Sequence, residues 1–188
     1  VVAGRLDHLP PEAKRILQEA AVIGRVFQAE ILKAVTSVPE SLETSLHTLE
    51  RLDMLRPRGD RADRIYVFKH AVVQEVVYGG ILRKDRERIH AKIGRAMEQR
   101  FASRLSGYVE TLAFHFALGG EGGKAVDYLV RSGAKSLRRC AVEEAHTHYQ
   151  SAFALLAEKP ARSPEEDRRL VDILIRWFFV YNARGLFT

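Results

Sequence analysis

Residues 66–78 read Tyr66-Val67-Phe68-Lys69-His70-Ala71-Val72-Val73-Gln74-Glu75-Val76-Val77-Tyr78. The first half alternates in the manner of a half-buried strand, and the second half follows helical spacing. The strand therefore passes directly into an amphipathic helix, and His70 stands at the junction. A helix N-terminus presents unpaired N–H groups and positive partial charge, which suits it to meet a phosphate.

The segments before this junction set its context. Pro11 and Glu12 suit the first turn of a helix over about 11–22, and Ala13, Ile16, Leu17 and Ala20 share one face. Gly24 ends that helix, and a short helix is expected near 28–35. Ser37 and Glu40 form a capping-box pattern opening a third helix, with Leu42, Leu46, Leu49 and Leu52 along one side. Residues 53–58 and 64–69 are expected as strands joined by the polar loop 59–63. Val72, Val73, Val76 and Val77 lie on one side of the helix that follows. Three helices, a hairpin and a closing helix give the order of a winged helix over residues 1–80.

From residue 81 onward the pattern is helical. Ile89, Ile93, Ala96 and Met97 mark a long helix ending near Phe101. Val109, Leu112, Ala113 and Phe116 mark another, stopped by Gly119-Gly120, and Ala125, Tyr128 and Leu129 a further one. Ala145, Tyr149 and Ala152 recur at 0, +4 and +7, a small–aromatic–small spacing similar to the tetratricopeptide repeat. Ser163-Pro164-Glu165-Glu166 is an N-cap signal for a final helix bearing Leu170, Ile173, Leu174, Trp177, Phe178 and Tyr181. Helix pairs at 109–119 with 122–138 and at 141–157 with 165–183 suggest stacked hairpins over 81–188. The fold expected is mainly α. A repeat array buries its faces against neighbours, so Trp177 and Phe178 are expected to be exposed at the end of this one.

Composition limits the chemistry. The 188 residues carry a net charge of +6 and 46% apolar residues, ordinary for a globular chain. Thirteen of the bases fall within 54–104 against six acids, so the rest of the chain is near neutral. No apolar run approaches a membrane span, which leads to an expectation of no membrane partner. The opening Val1-Val2-Ala3 lacks both Met and a signal-peptide pattern, and together with the closing 183–188 it suggests a piece of a longer chain. Cys140 is alone, which rules out an internal disulfide and fits a cytoplasmic setting.

Catalytic motifs are not found. The string Gly119-Gly120-Glu121-Gly122-Gly123-Lys124-Ala125 is one residue short of a phosphate-binding loop, and Ala125 has no hydroxyl for magnesium. It reads as an interhelical turn. His146 and His148 lie two apart, on different sides of a helix, and His90 and His115 stand singly. No metal site, nucleophile or cofactor is expected in this chain, and it is not expected to be an enzyme. As a winged helix it invites a reading as a DNA-binding regulator, with Arg56, Arg58, Arg61 and Arg64 in the wing. The expected recognition helix, however, presents Glu40, Glu43 and Glu50 beside Thr44, His47 and Arg51, and carboxylates repel a phosphate backbone.

The run FKHAVVQEVVY followed by LRKDRERIHAKIGRAME resembles a segment found after the nucleotide-binding domain in bacterial signalling ATPases of the STAND class. Many of these join an adenylate or guanylate cyclase, an AAA-like ATPase region and tetratricopeptide repeats. The resemblance covers roughly residues 1–160. It implies a winged helix folded back on an ATPase domain that binds ATP or ADP, with a histidine in a Met-His-Asp motif touching the β-phosphate of ADP in the closed state. Phe68-Lys69-His70-Ala71 occupies the place of that motif, with Lys69 and Ala71 in place of Met and Asp. The function implied is a non-catalytic signal-transduction segment. It would couple a neighbouring NTPase domain to a sensor array and to an output domain in cis. A DNA-binding regulator and a free-standing peptide-binding helical scaffold stay open as alternatives.

Overall fold

The computed structural model describes residue 6, residues 8–59 and residues 64–186, with side chains through residue 182. Arg61 and most of the expected polar loop, and the chain ends, lie outside the described residues. The chain divides into two compact units, Val1–Met97 and Glu98–Thr188.

The first unit runs α1 (Pro11–Ile23), β1 (Val26–Gln28), α2 (Ala29–Val35), α3 (Leu42–Arg51), β2 (Leu55–Arg58), β3 (Ile65–Phe68), α4 (Ala71–Gly79) and the first turns of α5 (Arg83–Arg100). This is the winged-helix arrangement. Ile65 to Phe68 is β-branched and aromatic, so it forms the central strand, and its alternation buries Tyr66 and Phe68 completely. The sheet order is β1-β3-β2, both pairings antiparallel. Only the β2–β3 hairpin was expected from sequence. β1 is three residues long, too short for a period-two signal, and exists because Phe27 stacks on Tyr66 at 5.8 Å across the register Phe27↔Tyr66. Pro57 sits in the edge strand β2, where its missing N–H does no harm. The core gathers Ile16 and Leu17 of α1, Leu32 of α2, Leu46 and Leu49 of α3, and Val73 and Val77 of α4.

Three local expectations need correction. The Ser37–Glu40 capping box does not form. Ser37 instead donates its amide (3.0 Å) and hydroxyl (2.8 Å) to the buried Glu19 carboxylate of α1, and Pro39–Ser41 makes a 3-10 turn before α3 starts at Leu42. Desolvating Glu19 without those donors would cost several kcal/mol in order of magnitude, and this outweighs a cap of about 1 kcal/mol. On α4 only Val73 and Val77 are buried, while Val72 and Val76 face solvent. Finally, the first unit extends past residue 80. The Tyr78 hydroxyl meets Nε2 of buried His90 at 3.0 Å, and Lys92 Nζ donates to the carbonyl of Val35 at 2.7 Å. Lys92 thereby places a positive charge at the negative end of α2.

The second unit holds a 3-10 segment (Ala102–Gly107), α6 (Val109–Leu118), α7 (Gly122–Arg138), α8 (Val142–Ala157) and α9 (Pro164–Leu186). Short turns join successive helices, and each packs on the next: α6 on α7, α7 on α8, α8 on α9. Gly120, at φ 73°, supplies the left-handed residue that stops α6. Ala145, Tyr149 and Ala152 are all buried, as their spacing requires. The cap at Ser163 is reciprocal: Glu166 N–H donates to Ser163 Oγ (3.2 Å), and Ser163 N–H donates to Glu166 Oε2 (2.9 Å). On α9 the exposed apolar stripe is real but differs from expectation. Val171, Leu174, Ile175, Phe178, Phe179 and Tyr181 are exposed, whereas Trp177 is half-buried. Its ring packs near Phe153, and its indole N–H donates to His146 Nδ1 at 2.9 Å.

Candidate functional site

β3 ends and α4 begins at His70, whose backbone is extended (φ −123°, ψ 127°) and occupies the N-cap position. Its side chain does not cap the helix; it is exposed and makes no hydrogen bond or ion pair among the described residues. The His70 carbonyl accepts from Val73 N–H at 3.1 Å, leaving the first N–H groups of the turn open, as a helix start does. The exposed imidazole therefore stands next to the positive end of α4 in the sequence.

The neighbouring Lys69 is engaged elsewhere. Its ammonium pairs with Asp53, and its N–H donates to the carbonyl of Met54 at 3.0 Å, extending the β2–β3 ladder. Asp53 is a left-handed residue (φ 59°) in the turn after α3, and it also meets Arg56 Nε at 3.4 Å. The position that holds Met in the resembled motif is thus a structural lysine here. Ala71 adds no side-chain polar group of its own. Among the described residues of this run, the His70 side chain is exposed and unpaired, whereas that of Lys69 is held by Asp53.

A second feature lies against α3. Glu43, His47 and Glu50, at i, i+4 and i+7, share a helix face and line a cavity of about 390 Å³ with Glu30 and Lys33 of α2. Its far wall is Arg64 and Tyr66. The Tyr66 hydroxyl donates to Glu50 Oε1 (2.8 Å) and accepts from Arg64 (3.1 Å), fastening β3 to α3. Burial pushes the Tyr66 phenol up to about 12, and the Glu50 bond adds to this, so it remains a proton donor. The basic wing is correspondingly reduced. Arg64 is turned into this network and Arg56 is paired with Asp53, which leaves Arg58 as an exposed base of the described wing. The helix that would read DNA carries Glu43 and Glu50 in this lining.

The remaining sequence candidates have structural surroundings. Gly119 to Glu121 form the α6–α7 turn and Gly122 to Ala125 open α7, where Lys124 pairs with Glu98 at 2.5 Å while lying over the Phe116 ring. His90 and His115 are buried, and His146 accepts the Trp177 bond. Burial lowers the His148 imidazole from its ordinary range. Among the described residues no group of three or more His, Cys, Asp or Glu is placed to hold a metal ion. No described helix is long and apolar enough to cross a membrane.

No protein-family model matches the chain, and no solved structure matches it. Among curated proteins it is similar to an uncharacterized protein of Rhizobium meliloti (strain 1021), with 26% identity over 179 residues. That alignment covers 91% of this chain and 17% of the other protein, so the chain spans about a sixth of the length of the relative it matches.

Proposed function

We propose that this chain is a non-catalytic regulatory segment of a multidomain signalling ATPase of the STAND class. In this reading the first unit gates a neighbouring nucleotide-binding domain, and the second unit is a tetratricopeptide-like array that senses a partner or couples to an output domain. The observation that carries the reading is the state of His70. It is exposed and, among the described residues, unpartnered, and it stands beside a helix start without a side-chain cap at the end of the hairpin. A residue held there with no internal partner is suited to an external anion, and the β-phosphate of ADP on an ATPase domain is the anion the resemblance supplies. Similarity to a much longer protein, over nearly the whole of this chain, supports a segment with neighbours in cis.

The test is nucleotide retention in the full-length protein. A charge-assisted bond from His70 to phosphate is worth roughly 1.5–3 kcal/mol. Its loss in His70→Ala therefore speeds ADP release by about tenfold to a hundredfold and raises output without ligand. Equal ADP dissociation rates for the wild type and a folded mutant would reduce His70 to a structural residue. The acidic lining of the α3 cavity favours this reading over a DNA-binding regulator.

A further inference from the structure

The second unit carries a basic face that the described carboxylates satisfy only in part. Arg131, Lys135 and Arg138 lie at i, i+4 and i+7 on α7, so they share one side of the helix and span about 10 Å of its axis. Together with Leu105 and Ser106 of the 3-10 segment and Val109 of α6 they line a cleft of about 190 Å³. Lys135 is neutralised, because its ammonium meets Glu110 Oε2 at 2.9 Å. The two arginines are not. Arg131 lies over the Tyr128 ring at 5.3 Å, and among the described residues neither Arg131 nor Arg138 has a carboxylate partner.

We propose that this cleft is a binding site for an acidic peptide segment, held by its carboxylates on Arg131 and Arg138 and by an aliphatic side chain over Leu105 and Val109. Guanidinium forks match carboxylates in a bidentate fashion, and the Tyr128 ring holds one of them in orientation without neutralising it. A polyproline-like segment brings every third side chain to the same side at a spacing of about 9 Å, close to the separation of the two arginines along α7. Leu105 and Val109 add apolar surface to the lining, which suits an aliphatic residue between two acids. A single-stranded nucleic acid fits less well. The lining has no aromatic ring on which a base could stack. The inference gives the array a class of partner, but it does not depend on the gating role of the first unit.

The experiment uses the 188-residue chain and a fluorescein-labelled nonapeptide with glutamate at every third position and alanine or leucine between. Anisotropy titration should show saturable binding that weakens as salt rises, with the glutamine version of the peptide at least about tenfold weaker. Arg131→Glu with Arg138→Glu should lower affinity by about tenfold or more. The single change Arg138→Gln, which leaves the Tyr128 contact intact, should lower it by a smaller factor. Arg168→Glu, at another exposed arginine, on α9, should change it less than twofold. Binding absent at millimolar chain, or lost equally with Arg168→Glu, would overturn the site. Displacement of the peptide by millimolar inorganic phosphate, or tighter binding of an oligouridylate to the same arginines, would overturn the assignment to an acidic peptide.

Discussion

Single residues in this molecule are read correctly only with their neighbours. Gly133 looks like an unremarkable weak point within α7, where alanine would normally add about 1 kcal/mol to a helix. In the structure a β-carbon at Gly133 would stand 2.7 Å from Cζ of Tyr149. That ring is fully buried, so it has little room to retreat. Overpacking of this kind costs about 1–3 kcal/mol and exceeds the gain in propensity. Gly133→Ala should therefore lower the thermal midpoint, and Gly133→Ala with Tyr149→Leu should recover part of the loss. A Gly133→Ala variant more stable than the wild type would show that the ring moves aside. The small–aromatic–small spacing at Ala145, Tyr149 and Ala152 was legible in the sequence. The glycine that makes room for Tyr149 was not, because the contact crosses from one helix to the next.

Among the elements, α9 shows the sharpest division between its faces. Ile173 and Val180 are fully buried against α8, while Val171, Leu174, Ile175, Phe178, Phe179 and Tyr181 form an exposed stripe. An apolar face of this size on a lone helix promotes association. Light scattering of the chain should show self-association that rises with concentration and falls when Phe178 and Phe179 are changed to serine. Trp177→Ser should behave differently. Its indole is tied to His146 and packs near Phe153, so the substitution should lower the unfolding temperature without relieving association. A monodisperse monomer at high concentration would mean that the stripe is tolerated in water as it stands. Helical periodicity alone places Trp177 and Phe178 together on the apolar side. Which of them is covered depends on where α8 crosses.

For the whole molecule, stability against acid follows from its buried histidines. Burial, assisted by the nearby charge of Arg86, holds the His90 imidazole down to about 4, against 6.5 for an exposed one. The unfolded chain therefore takes up a proton as pH falls through 6.5, and the folded chain does so only near 4. The contribution is complete above pH 6.5 and is lost progressively between those values, by about 3 kcal/mol in order of magnitude. His148 is lowered in the same direction, again chiefly by burial. Urea midpoints should fall from pH 7 to pH 5, and His90→Gln should flatten that slope even if it lowers stability at pH 7. An unchanged slope in the variant would place the acid sensitivity elsewhere. By itself the sequence determined the mainly α class, the β2–β3 hairpin, the helix starts at Pro11 and Ser163, and the position of His70 at a strand–helix junction. These depend on local spacing, capping and turn chemistry, which a short window contains. Only the tertiary structure decided the third strand, the diversion of Ser37 to Glu19, the acidic cavity on α3 and the convergence of Leu105 and Val109 beneath the α7 arginines. Each joins residues far apart in the chain, and the burial or charge that makes the contact favourable exists only after the chain has folded.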